Sequence, residues 1–457
     1  MATVTLQAFT GQGFPAEAPA VSFPVDLFLV NSNLTPLSEK ISEIIGGLTT
    51  WEPKRKTKGI ITRDPVTITG ADHDDVLNKF NQLFLRNYWG DGLALTPPTR
   101  KRVDWILTGT DLSPDTVIGK GSVMPKGGIV TMEVLATAVA MAGGRPEYLP
   151  VAAAAVETMT KTEFDMTSSM SQYHGLLVNG PMAKDIRLGS GFGIFGPDPL
   201  HPAGAAIGRA LWLIFQNPGG HVSSLGTIAQ YGELRHTGLV FAENEDGLPQ
   251  GWTTFAEDHY KRPKGTNSAT FFAVQGGGVR GFTHRGDGSE PSHEVEILES
   301  FYRGAAAIKE VQRNVLVSPG GSAYPSISNP NMGFTGAMLL LNSMILNNSM
   351  VPQGWTKQKI LDHMREQLFV TPDEVNYRSD VQRATAKAKK DIKALPLKTL
   401  MFDNDFIHFI CAGGDHPSRG MWIPQIHKLG NELIKLPKNW KLLLAKAEED
   451  LGPLPIT

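Results

Sequence analysis

Five short apolar runs, each ending in a polar turn, constrain this chain more than anything else in it. They read HGLLVNG (174–180), GLVFAENED (238–246), ATFFAVQGGG (269–278), NVLVSPGG (314–321) and FIHFICAGG (406–414). Each is rich in Val, Ile, Leu or Phe and nearly continuous rather than alternating. A strand buried on both faces reads this way, and such strands belong to sheets covered by helices.

The helices expected between them are also visible. Residues 74–86 place Val76, Leu77, Phe80, Leu83 and Phe84 on one face. Residues 131–142 are apolar nearly all round, and 151–159 are Ala-rich. Further helices are expected over 36–46, 205–215, 334–346 and 356–368, an exposed basic helix over 383–393, and a strand over 23–31. Strands alternating with helices predict an α/β fold with a layered mixed sheet or sheets covered by helices, and not a standard Rossmann fold. No sequence repeat of fixed period accompanies the similar strand–turn units. The 457 residues exceed one ordinary core. The expected division is an N-terminal segment over 1–60, an α/β core over 61–260 and a C-terminal α/β portion over 261–457 that completes the site.

Composition narrows the function classes. Charged residues make up 19% and hydrophobic ones 41%, which are globular values. A net charge of −2 lacks the basic face of a nucleic-acid binder. The one cysteine, Cys411, rules out an intrachain disulfide or a Cys-cluster metal site and fits a reducing cytoplasm. No apolar stretch is long enough to span a membrane. No secretory signal is read at the N-terminus. A homo-oligomer is the default expectation for such a chain.

In open α/β sheets, ligands collect at the carboxyl ends of strands. Two turns stand out there. In FAENEDG, Glu243 and Glu245 lie two apart, so an extended chain would turn both to one face. Paired carboxylates supply general acid–base chemistry or bind a hard cation. Asn244 and Asn179, the latter ending the 174–180 run, would position a substrate. In CAGGDHPSRG, Gly413 and Gly414 allow close backbone approach. Asp415 and His416 would orient and transfer a proton, and Arg419 would grip an anion. Cys411 is either a nucleophile or a buried, inert thiol.

Gly191, Gly193 and Gly196 spell G-x-G-x-x-G. A Rossmann fingerprint needs a strand directly before it and a helix directly after, and Pro197, Pro199 and Pro202 delay the helix. Arg209 lies on the otherwise apolar helix that follows, as a substrate clamp or a buried ion-pair partner. The histidines are scattered, with neither H-x-x-x-H nor H-E-x-x-H. A divalent or transition metal ion held by residues assembled in space stays open. No G-x-S-x-G elbow or P-loop occurs.

YWGDGLALTPPT (from Tyr88), MAGGRPEYLPV (from Met141), LLVNGPMAKDI (from Leu176), AAIGRALWL (from Ala205) and FAENEDG (from Phe241) together resemble a bacterial family of UGSC-motif selenoprotein-like proteins. The likeness covers 64–258, with a weaker echo around ICAGGDH. The family's selenocysteine–Gly–Ser–Cys motif is absent. Gly143–Gly144 also stands where Gly–Cys is expected in relatives. The resemblance implies an enzyme-like body for a small molecule, without its own thiol or selenol couple.

Three functions follow. The first is an enzyme on a small polar or anionic organic molecule, of lyase, hydratase or hydrolase type, using acid–base or metal-assisted chemistry. The second is an oxidoreductase component working with a separate thiol or selenol protein. The third is a non-catalytic assembly or ligand-binding protein.

Overall fold

The structure, a computed structural model, describes residues 21, 23, 33–51, 65–119, 122–161, 172–223, 225–227, 235–275, 280–283, 341–347, 351, 354–360, 407–414, 419–425 and 430–454. The strands are β1 (Gln172–Asn179), β2 (Leu239–Ala242), β3 (Ser268–Gln275), β4 (Arg280–Thr283), β5 (Leu341–Asn347), β6 (Ile407–Gly413), β7 (Arg419–Gln425) and β8 (Gly430–Leu433). The helices are α1 (Thr35–Glu39), α2 (Ile41–Thr49), α3 (His73–Arg86), α4 (Arg100–Leu107), α5 (Met132–Met141), α6 (Leu149–Lys161), α7 (Met182–Asp185), α8 (Pro202–Gln216), α9 (Phe255–Tyr260) and α10 (Trp440–Leu451). This is the α/β fold expected, with a mixed sheet.

Four of the five apolar runs are strands: β1, β2, β3 and β6. The run over 314–321 lies outside the described residues, as do most of 23–31 and all of 383–393. The helix expected over 356–368 is described only as far as Ile360. One expectation is corrected. Residues 341–347 form β5, where a helix over 334–346 was predicted. Its Met- and Leu-rich run carries no decisive period, and pairing with β6 and β7 on either side settles the conformation.

The eight strands run β2-β1-β3-β7-β5-β6, with β4 on β7 and β8 on β3. Among the described residues β3 and β7 share a single pairing, Val274 with Gln425. The sheet is therefore two four-stranded halves, β2-β1-β3-β8 and β6-β5-β7-β4. Both follow one pattern: a parallel pair, then two antiparallel pairings. The fourth strands are exchanged. β4 follows β3 but pairs with β7, and β8 follows β7 but pairs with β3. The equivalent strands β1 and β5 end in LLVN and MILN. The repeat absent from the residue pattern is present in the pairing.

Side-chain alternation along β1 and β3 feeds two cores. Leu176, Val178, Phe271 and Ala273 pack with α5, α6 and α8. Tyr173, Leu177, Phe272 and Val274 pack against Ile410, Ala412 and Ile423 of the second half. The order of layers is thus helices, first half-sheet, second half-sheet. Helix α5 is buried except along Glu133, Val134 and Thr137, and begins at Thr131, whose hydroxyl accepts from Val134 N–H. Helix α8 enters through Pro202 and lies directly on the backbone beside β2. A Cβ at Gly208 would collide with the Thr237 carbonyl. Helices α1 and α2 bury no residue. No helix among the described residues is long and apolar enough to cross a membrane.

Candidate functional site

β1 and β2 are parallel, so their carboxyl ends lie side by side. Asn179 closes β1, and Glu243 follows β2 directly, its N–H donating to Val178 O at 3.1 Å. The chain then makes a 3-10 turn, Glu245–Gly247, that folds Glu245 back toward β1. Asn179 Nδ2 donates to Glu243 Oε2 at 2.5 Å and to Glu245 Oε1 at 3.1 Å. Glu245 Oε1 also accepts from Gly180 N–H at 2.7 Å. Glu243 Oε2 takes a second donor, Phe255 N–H at the start of α9, at 2.8 Å. Glu243 and Glu245 thus meet one amide, as expected from their spacing, although a turn brings them together rather than extended backbone. Asp246 points outward and pairs with Lys184.

Asn179 and Glu243 are both buried, at 1% and 5% exposure. Among the described residues, one oxygen of each, Asn179 Oδ1 and Glu243 Oε1, has no hydrogen-bond partner. Burial pushes the Glu243 carboxyl up to about 7. The bonds from Phe255 and Asn179 and the charge of Lys357 oppose that shift, and Glu245 adds to it. Such a group is divided between its two protonation states near neutral pH, which suits a general acid or base.

The second half-sheet reaches this site through the end of β6. Asn244 N–H donates to Cys411 O at 2.7 Å, and Asn244 Nδ2 to Gly413 O at 2.9 Å. Between the two strand ends runs the glycine loop. Gly189 O accepts from Ala242 N–H at 2.9 Å, Gly191 N–H donates to Ala412 O at 2.7 Å, and Gly414 N–H donates to Gly191 O at 3.1 Å. Gly191 has φ +74°, and its backbone touches Gly414 so closely that a Cβ on Gly414 would sit 3.3 Å from Gly191 Cα. The G-x-G-x-x-G segment is therefore a joint between strand ends and not a dinucleotide loop.

Not every predicted site residue joins this constellation. Asn244 spends its side-chain amide on the β6 backbone, so it ties the halves instead of facing a substrate. Arg209 forms an ion pair with Asp91, through Nε at 2.7 Å and Nη2 at 3.0 Å, and also donates to Ala94 O. Its guanidinium is an ion-pair partner and not a clamp. Asp415 and His416 lie outside the described residues. Arg419 opens β7, where its backbone pairs with Thr283, and its side chain lies outside what is described. Cys411 is fully buried, and burial together with the Glu243 charge pushes its thiol up to about 12. It is the inert alternative rather than a nucleophile.

Three neighbours escaped the sequence reading. Lys357 pairs with Asp258, donates to Thr253 O at 2.9 Å and lies 5.1 Å from the Trp252 ring centroid. Phe192, in the glycine loop, is 69% exposed and rests against Gly414. His408, buried on β6, stands 4.6 Å from His259 between ring centroids. Burial pulls its imidazole down to about 3. An aromatic inside GSGFG was the one available signal, for Phe192; nothing adjacent in sequence marks Lys357. Among the described residues no three His, Cys, Asp or Glu side chains converge as a metal site.

No family model, curated protein or solved structure matches the chain. The likeness to the selenoprotein-like family therefore rests on the quoted motifs alone.

Proposed function

We propose that the chain is an enzyme that moves protons on a small polar organic molecule, in a reaction of lyase, hydratase or hydrolase type. Glu243 is the general acid–base group in this reading, and Asn179 is its positioning residue. One observation carries it: Glu243 is a buried carboxyl anchored through one oxygen, with the other unpartnered and its pKa raised to about 7. Asp415 and His416 follow Gly414 in the chain and are the candidates for a second proton carrier. The proposal extends to a homo-oligomer in a reducing, cytoplasmic setting, acting without nucleic acid or membrane.

The test compares the folded chain with E243Q in a small-molecule cell extract followed by mass spectrometry. A compound consumed by the wild type and spared by E243Q is expected. Equal consumption by a folded E243Q removes Glu243 from the chemistry. The oxidoreductase reading takes its electrons from a separate thiol or selenol protein or a bound cofactor, because the chain's own thiol is buried.

A further inference from the structure

The charge and hydrogen-bonding character of the Glu243 site points to one class of ligand. Asn179 has both its bonds from Nδ2 committed to carboxylates, so its Oδ1 is fixed as an acceptor. That oxygen is buried and unpartnered, as is Glu243 Oε1. Buried polar atoms are costly unless a donor meets them. Two unmet oxygens on one buried constellation therefore call for a ligand that brings N–H or O–H donors.

The local charge agrees. Glu243 and Glu245 flank the same amide, and among the described residues neither is engaged in an ion pair. Two cations of this region hold other carboxylates: Lys184 pairs with Asp246 and Lys357 with Asp258. An anionic substrate would meet two carboxylates that share one amide, Asn179 Nδ2. The substrate-clamp role read for Arg209 has gone, since that side chain is an ion-pair partner. The Phe192 ring is exposed beside Gly414, next to Gly413, whose carbonyl accepts from the side chain of Asn244, the residue after Glu243. An exposed aromatic face suits a cation.

We propose that this site takes a small amine or amidine, bound as a cation, with its N–H groups on Glu243 Oε1 and Asn179 Oδ1 and its positive charge near the Phe192 ring. The inference rests on Glu243 being the functional group of the site and replaces a polar or anionic substrate by a cationic one.

The test titrates the full chain with ethanolamine, acetamidine and sodium acetate by calorimetry, and repeats the titration on E243Q and F192A. Wild type binds the amine and the amidine and ignores acetate. E243Q binds them about tenfold or more weakly, and F192A about threefold more weakly. A second readout is the Asn179 side-chain amide resonance in the wild type. It shifts on amine binding and decides the matter even where E243Q fails to fold. Acetate binding with no amine binding overturns the ligand class while leaving Glu243 as an acid–base group. Amine binding that leaves the Asn179 amide unmoved, or undiminished in a folded E243Q, takes the ligand away from this site and overturns both readings. Binding of none of the three probes overturns the ligand class.

Discussion

Asn179 and Glu243, 64 positions apart in the chain, share a 2.5 Å hydrogen bond between buried side chains. The bond joins the ends of two parallel strands and favours the ionised form of the carboxyl it reaches. Removing the donor therefore raises the Glu243 pKa further. N179A is expected to shift it upward by about one unit, the equivalent of a hydrogen bond to a charged group. Carboxyl carbon NMR across pH reads this directly, and a downward shift would contradict the geometry.

Glu243 also predicts how stability follows pH. Its folded pKa, about 7, lies above the ordinary 4.5. The unfolded chain releases this proton first as pH rises, so the stabilisation present below pH 4.5 is lost as pH climbs through 7. In E243Q that loss is absent. Urea unfolding should show the E243Q stability rising relative to wild type by up to about 3 kcal/mol between pH 4.5 and pH 8. A gap that stays constant over this range would mean that Glu243 ionises as easily folded as unfolded.

Arg209 and Asp91 carry a different expectation. The Asp91 side chain is fully buried and that of Arg209 is 17% exposed. Cutting Arg209 back strands a buried carboxylate. R209M is expected to lose about 3–5 kcal/mol in urea unfolding, and the D91N/R209M pair considerably less. An R209M chain as stable as wild type would return Arg209 to the list of substrate-facing groups.

Cys411 should be silent in the folded state. With its thiol pushed up to about 12, only on the order of one molecule in ten thousand is thiolate at pH 8. The disulfide reagent DTNB should label it in urea within minutes and leave the native chain unlabelled for hours. Fast native labelling would reopen its role as a nucleophile.

Much of this was legible in the residues. The runs ending at Asn179 and Glu243 were readable as strands because both faces of β1 and β2 are buried. The two glutamates stood out because acids directly after a buried run need a reason. What stayed hidden depends on distant partners. Asn244 reads as a substrate hook until its acceptor, Gly413 O, is found 169 positions away. Arg209 is ambiguous until Asp91 arrives from 118 positions upstream. β7, RGMWIPQ, contains a glycine and Pro424 and carries little strand signal of its own. Pairing with β4 and β5 makes it a strand. Lys357 comes to the site from the far side of a long intervening stretch, and no local pattern announces it.

The exchange of β4 and β8 bears on how anything reaches Glu243. Two-part proteins commonly admit a ligand by hinging one body away from the other. Here each half-sheet holds the other's edge strand, so three seams, β3–β8, β7–β4 and the Val274–Gln425 junction, would have to part together. The halves are clasped by exchanged edge strands. A mutation that loosens either exchanged strand would therefore act on both halves at once.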